Sequence, residues 1–248
     1  MITNASFLSS ADREFHSSTS HLLSPKDELP TKPTSLYLFP SFKYVTLPVA
    51  SDSALYNSSL DALIQNYVHP SMLETNPLQE EKDIILQQRS EHDKDHVDLR
   101  PQPVHEVVVL ICGHGGRDSR CGALGLPLQH EFEDKLRRAS INVLPHCRPS
   151  EEVLSSKAAR VGLISHIGGH KWAGNVIIYI PPRWREQEGH SLSGSAIWYG
   201  RVEPKHVEGI VKETVLGGRI VGELWRGGMQ LSKTKEGLAW TSIPRPAS

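Results

Sequence analysis

Between Glu106 and Cys112 the chain reads Val-Val-Val-Leu-Ile without a polar break, and a glycine-rich loop follows at once. A short apolar run of mostly β-branched residues, with no alternation, reads as a buried-type strand. The rest of the chain is ordered around it. Leu128 to Arg138 carries Phe132 and Leu136 on one helical face, and Ile141 to Leu144 reads as a second strand. Val161–Ser165, Asn175–Ile180 and Ala196–Tyr199 read as further strands. Pro204 opens a helix at its first turn, where a missing N–H costs nothing. That helix runs through Val207, Ile210, Val211 and Val215 and stops at Gly217-Gly218. Ile220 to Trp225 is expected to be a last helix or strand, and the polar tail from Ser232 to be loose.

Strand, loop, helix, strand, then a strand pair and a closing helix is the order of a thioredoxin-like α/β layer, a mixed sheet with flanking helices. This domain is expected over 104–230. Before it, 35–48 reads as two short strands broken at Pro40, and Ser58–Tyr67 as a helix with Leu60, Leu63, Ile64 and Tyr67 at helical spacing. These make a short strand–helix region over 35–75, followed by a polar linker over 76–103. Residues 1–34 are serine-rich and read as a disordered extension, and 231–248 as a C-terminal tail.

Composition narrows the function classes. The chain balances 27 basic against 28 acidic residues, so neither nucleic acid nor an anionic membrane surface is an expected partner. Its apolar stretches are strand-length, too short to insert in a bilayer. Three cysteines do not make a paired disulfide framework, which fits a reducing compartment or a metal-bound state. No apolar secretion segment is present, and Asp12 and Glu14 beside Arg13 argue against an Arg-rich, acid-poor transit peptide.

Two clusters carry chemistry. One is Cys112-Gly-His-Gly-Gly-Arg-Asp-Ser-Arg-Cys121-Gly122, which follows the buried strand; the other is His166-Ile-Gly-Gly-His170. Glycines between the histidines let the backbone fold tightly enough for both imidazoles to converge. A strand-end cysteine alone is more often a small buried hydrophobe. Together, two thiolates and two imidazoles make four ligands, the number that closes either a zinc site or a 2Fe–2S cluster. An eight-residue gap is wide for structural zinc, which usually pairs cysteines two to four apart. A thiol oxidoreductase wants Cys-x-x-Cys at a helix start, which is missing. A cysteine phosphatase would need one more residue between Cys112 and Arg117.

The motifs Cys-Gly-His-x-x-Arg-Asp-x-x-Cys-Gly, Ser-His-Ile-Gly-Gly-His-x-x-Ala-Gly-Asn-Val-Ile, Trp-Tyr-Gly-Arg-Val-x-Pro and Arg-Gly-Gly resemble the sucrase/ferredoxin-like family. The resemblance is strong over about 104–230 and faint over 35–70. It implies a fungal thioredoxin-like ferredoxin whose 2Fe–2S cluster is held by Cys112, Cys121, His166 and His170. It also implies a mitochondrial address and electron transfer to an unidentified redox-partner protein, rather than an enzyme with its own substrate. The alternative is a structural zinc domain using the same four residues in an interaction module.

Replacing anionic thiolates by neutral imidazoles makes such a cluster less negative and raises its potential, as in Rieske centres. Arg117 and Arg120 are candidates for hydrogen bonds near the cluster, but an Arg–Asp pair through Asp118 that pins the loop is the favoured reading. His114 is expected beside the ligands rather than among them, and Arg226-Gly227-Gly228 is a candidate to approach the site. Cys147 is expected to be a free thiol.

Overall fold

The computed structural model describes residues 34–39, 41–48, 53–64, 99, 101–116, 118–144, 157–165, 167, 169–185, 189–234 and 237–246. The expected disordered extension apart from Thr34, most of the expected linker, Cys147, Arg117 and His166 lie outside the described residues. The chain divides into two compact units, a larger one built on Val104–Leu231 with the segment from Trp240, and a smaller one preceding Val104 together with Ser232–Ala239.

In the smaller unit, β1 (Thr34–Leu38) and β2 (Lys43–Leu47) pair antiparallel from Thr34↔Leu47 to Leu38↔Lys43. Helix α1 (Ser53–Leu63) starts earlier than the sequence suggested, and β3 (Gln102–Pro103) adds an edge to β2. Val45, Leu47 and Leu63 form a small core with Leu36, Leu38, Tyr56, Leu60 and Leu99 packed on it.

The larger unit is organised by β4 (Val107–Cys112), every residue of which is buried. Helix α2 (Ser119–Arg138) follows, then β5 (Asn142–Val143), β6 (Ala158–Ile164), β7 (Val176–Ile180) and β8 (Ser195–Tyr199). Helix α3 (Pro204–Ile210) continues as a π-helical segment, Val211–Leu216. A 3-10 turn, Gly222–Leu224, leads into β9 (Trp225–Thr234) and β10 (Gly237–Ser242). The sheet order is β10-β9-β8-β7-β4-β6-β5. β4 and β6 are parallel, while β7 and β8 run antiparallel. Taken in chain order, the four central strands β6-β4-β7-β8 stand second, first, third, fourth, with a helix after the first and another after the last. This is the thioredoxin-like mixed sheet expected from the sequence.

Two expectations are corrected. Helix α2 begins at Ser119 rather than near Leu128, because Asp118 caps it by accepting the Arg120 N–H at 3.0 Å, offsetting Gly122, Gly125 and Pro127. The tail from Ser232 is not loose, since β9 extends to Thr234 and β10 returns along it, with Ile243 N–H donating to Gly228 O at 2.9 Å.

One face of α2, carrying Leu128, Phe132 and Leu136, packs into the main core with Val107, Val109 and Ile111. A hydrogen-bonded chain ties β8 to the closing helix. Val221 N–H donates to Tyr199 Oη, Tyr199 lies 2.6 Å from Thr214 Oγ1, and Thr214 donates to Arg219 O.

Candidate metal centre

Cys112 is the last residue of β4, and Cys121 lies in the first turn of α2. The two are 0% and 1% exposed, and both are free thiols. Their sulfurs are within hydrogen-bonding reach of one another, and the Gly174 N–H points a hydrogen bond at the Cys121 sulfur.

Glycines make this meeting possible. A Cβ on Gly122 would stand 2.7 Å from the Gly115 Cα, and one on Gly125 would stand 2.9 Å from the Gly113 Cα. The loop leaving β4 therefore lies directly on the first turns of α2, with no side chain to hold it off. Gly174 has φ +84°, and a Cβ there would collide with the Val202 carbonyl, so the donor to Cys121 sits on a backbone that glycine alone adopts without strain.

A thiol in the first turn of a helix is ordinarily acidified by the helix dipole. Here burial dominates: it pushes the Cys121 thiol up to about 11, with the neighbouring Cys112 thiol adding to the rise and the Gly174 N–H opposing it. Without a metal this thiol is protonated at neutral pH.

The backbone brings the second motif to the same edge. Gly113 N–H donates to Ile164 O at 3.1 Å, and Cys112 N–H donates to Asn175 O at 3.0 Å. Ile164 and Asn175 flank the segment that contains His166 and His170. His170 opens a 3-10 turn, His170–Trp172, but its side chain, like His166, lies outside the described residues. Among the described residues no three His, Cys, Asp or Glu converge on one point.

Two free, buried, neighbouring thiols are the donor type that iron and zinc both accept. Two sulfurs each ~2.3 Å from a tetrahedral metal stand about 3.8 Å apart, a hydrogen-bonding separation for sulfur.

Asp118 and Arg120 form the loop-pinning pair favoured from sequence, with Arg120 Nε and Nη2 donating to the Asp118 carboxylate at 3.1 and 2.9 Å. Arg226 was flagged by its motif alone, and its placement is now defined. It donates to Asn175 Oδ1, and its charge is close enough to Cys112 for the two to interact. Burial lowers the Arg226 guanidinium from its usual range, an effect the charge on Cys112 opposes. Sequence reasoning missed the Gly174 donor, because nothing in a glycine marks its N–H as aimed at sulfur. It also missed Lys171, Trp172 and Arg201 as a group, since 201 is far from the other two in the chain.

A thioredoxin-like sheet with a buried, neighbouring thiol pair where its first central strand meets its first helix defines the class of domain. The sequence pattern of the sucrase/ferredoxin-like family matches residues 2–227, and the chain belongs to that family. Among curated relatives, "Altered inheritance of mitochondria protein 32" of Clavispora lusitaniae is 36% identical over 176 residues, covering 68% of this chain and 52% of the relative. The protein of the same name from Meyerozyma guilliermondii is 32% identical over 206 residues, covering 80% of this chain and 60% of the relative. The chain thus spans roughly half to three-fifths of the length of these relatives. Their shared name ties them to mitochondria, in agreement with the address expected from the resemblance. A solved thioredoxin-like 2Fe-2S ferredoxin from Aquifex aeolicus covers 49% of this chain and 97% of its own at 16% identity and a TM-score of 0.29. The fold assignment rests on the strand order and not on that superposition.

Among the described residues no helix is long and apolar enough to cross a membrane.

Proposed function

We propose that this chain is a mitochondrial thioredoxin-like ferredoxin that holds a 2Fe–2S cluster on Cys112, Cys121, His166 and His170 and exchanges single electrons with a partner protein. The observation that carries this reading is the pair of buried, neighbouring thiols where β4 meets α2, with backbone hydrogen bonds from Cys112 and Gly113 to both flanks of the histidine segment.

When bound, the cluster supplies a one-electron couple. The chain's own residues then have separable tasks. Cys112 and Cys121 give up their protons on binding metal, as thiol ligands must. The Gly174 N–H donates to the Cys121 sulfur and Arg226 places positive charge beside Cys112, and both favour the added electron. Burial of the cysteines keeps water from that side of the site.

The test is anaerobic purification of the full chain with iron, acid-labile sulfide and zinc analysis, visible absorption and reduced-state EPR. Equal iron and sulfide with a Rieske-like signal supports the proposal. A colourless protein holding one zinc assigns the four residues to a structural role, and electron transfer falls with it. Cysteine in place of His166 or His170 is expected to lower the potential while retaining a cluster.

A further inference from the structure

Three cations surround one indole beside the thiol pair. Arg201 lies 4.8 Å, Lys171 5.2 Å and Arg226 5.8 Å from the Trp172 ring centroid, and Arg226 also lies 5.5 Å from the Trp198 ring. Lys171 and Arg201 are exposed, and Arg226 and Trp172 are half-buried. Among the described residues none of the three cations has a carboxylate at ion-pair distance. The exposed cations of α2 differ in this: Arg137 pairs with Glu133 at 3.0 Å and Arg138 with Asp134 at 2.9 Å.

The arrangement is built into the backbone. A Cβ on Gly200 would stand 2.9 Å from Trp172 Cε3, so the indole lies directly on the main chain there. Arg201 Nε donates to Lys171 O at 3.4 Å, and Arg201 N–H to Trp172 O at 3.5 Å. A cleft of about 430 Å³ opens next to it, lined by Arg120, Leu124, Lys171, Ala173, Arg201 and Glu203. Its one carboxylate is already engaged, Glu203 by Lys205 at 2.8 Å. Arg120 directly precedes Cys121, and Ala173 directly precedes Gly174, so the cleft borders the thiol site.

Like charges gathered on one ring repel each other, and the ring's quadrupole compensates only in part. Carboxylates from outside would remove that repulsion. Arginine and tryptophan are also the side chains that most often anchor protein interfaces. Fixed in advance by the backbone, they lose little freedom on binding.

We propose that the cationic cluster on Trp172 is a docking surface for an acidic protein partner. Nucleic acid is disfavoured, because the chain balances 27 basic against 28 acidic residues and so carries no net basic excess to hold a phosphate backbone. As the route for electrons this surface rests on the cluster reading above; as a binding surface it does not.

The test uses the full chain and a fluorescein-labelled peptide of alternating Asp and Glu, followed by anisotropy at low and high salt. Iron and sulfide are assayed on the same sample, so failure of the cluster and failure of the surface register separately. The double variant Lys171→Glu/Arg201→Glu is expected to bind at least tenfold more weakly than wild type. Arg137→Glu/Arg138→Glu makes the same charge change about 25 Å away along α2 and is expected to bind within twofold of wild type. If charge reversal prevents folding, Lys171→Gln/Arg201→Gln takes its place and is expected to show the same direction. Equal weakening by both pairs, or no weakening by either, overturns the proposal. Tighter binding of an oligouridine of matched charge also overturns it and assigns the surface to nucleic acid.

Discussion

Gly122 on the first turn of α2 and Gly115 on the loop leaving β4 approach so closely that a Cβ on Gly122 would lie 2.7 Å from the Gly115 Cα. Backbone meets backbone here, so neither side can yield by rotating a side chain. Gly122→Ala must push the loop away from α2, and Cys112 and Cys121 with it. Overpacking of this kind costs about 1–3 kcal/mol. A lower denaturant midpoint is expected and, on the proposed cluster reading, loss of most bound iron, measured on protein that still shows wild-type circular dichroism.

Glu106 and Arg160 form an ion pair at 2.7 Å with side chains 0% and 2% exposed. Removing one partner strands a buried charge, which costs about 3–5 kcal/mol, whereas apolar replacement of both is often neutral. Glu106→Ala is therefore expected to lower the urea midpoint far more than Glu106→Leu/Arg160→Met. Comparing midpoints at unchanged m-value checks this.

Burial raises the Tyr199 phenol above its ordinary value and pushes Tyr179 up to about 12. Unfolded, both titrate near pH ~10. Between these values the folded chain keeps protons that the unfolded chain releases. The contribution of Tyr179 is therefore fully present below pH ~10 and is lost as pH rises through about 12, and that of Tyr199 is lost in the same direction. The share of the 295 nm absorbance that belongs to these two of the six tyrosines should rise late and together with unfolding; early titration of all tyrosines in a folded protein would contradict it.

Arg226 places positive charge beside Cys112. If that charge acts on the redox centre, Arg226→Gln should lower the potential by some tens of millivolts at unchanged iron content, read by potentiometric titration. An unchanged potential would confine Arg226 to holding Asn175.

The central architecture was legible because β4 is buried along its whole length, and a strand with both faces covered leaves an uninterrupted apolar run. The start of α2 was not legible. Gly122, Gly125 and Pro127 are poor helix formers, and only the Asp118 cap and the close loop contact offset them. The β9–β10 edge was hidden for a different reason. Polar residues such as Gln230 and Ser232 are only half-buried in β9, and their sequence reads like that of a tail. The two cysteines were identifiable by type and motif, but their contact depends on glycine backbones touching across the loop, which no residue pattern displays.

With both sulfurs on one metal, the ten residues from Cys112 to Cys121 become a closed ring. A crosslink around so short a loop restrains the unfolded chain by only ~3 kcal/mol on the reckoning used for disulfides, against typical domain stabilities of about 5–15 kcal/mol. On that reckoning the Cys112–Cys121 crosslink by itself is worth less than the stability of a typical domain. Chelator-treated protein should keep its helix and strand signals and present an assembled, empty seat that can be refilled without refolding.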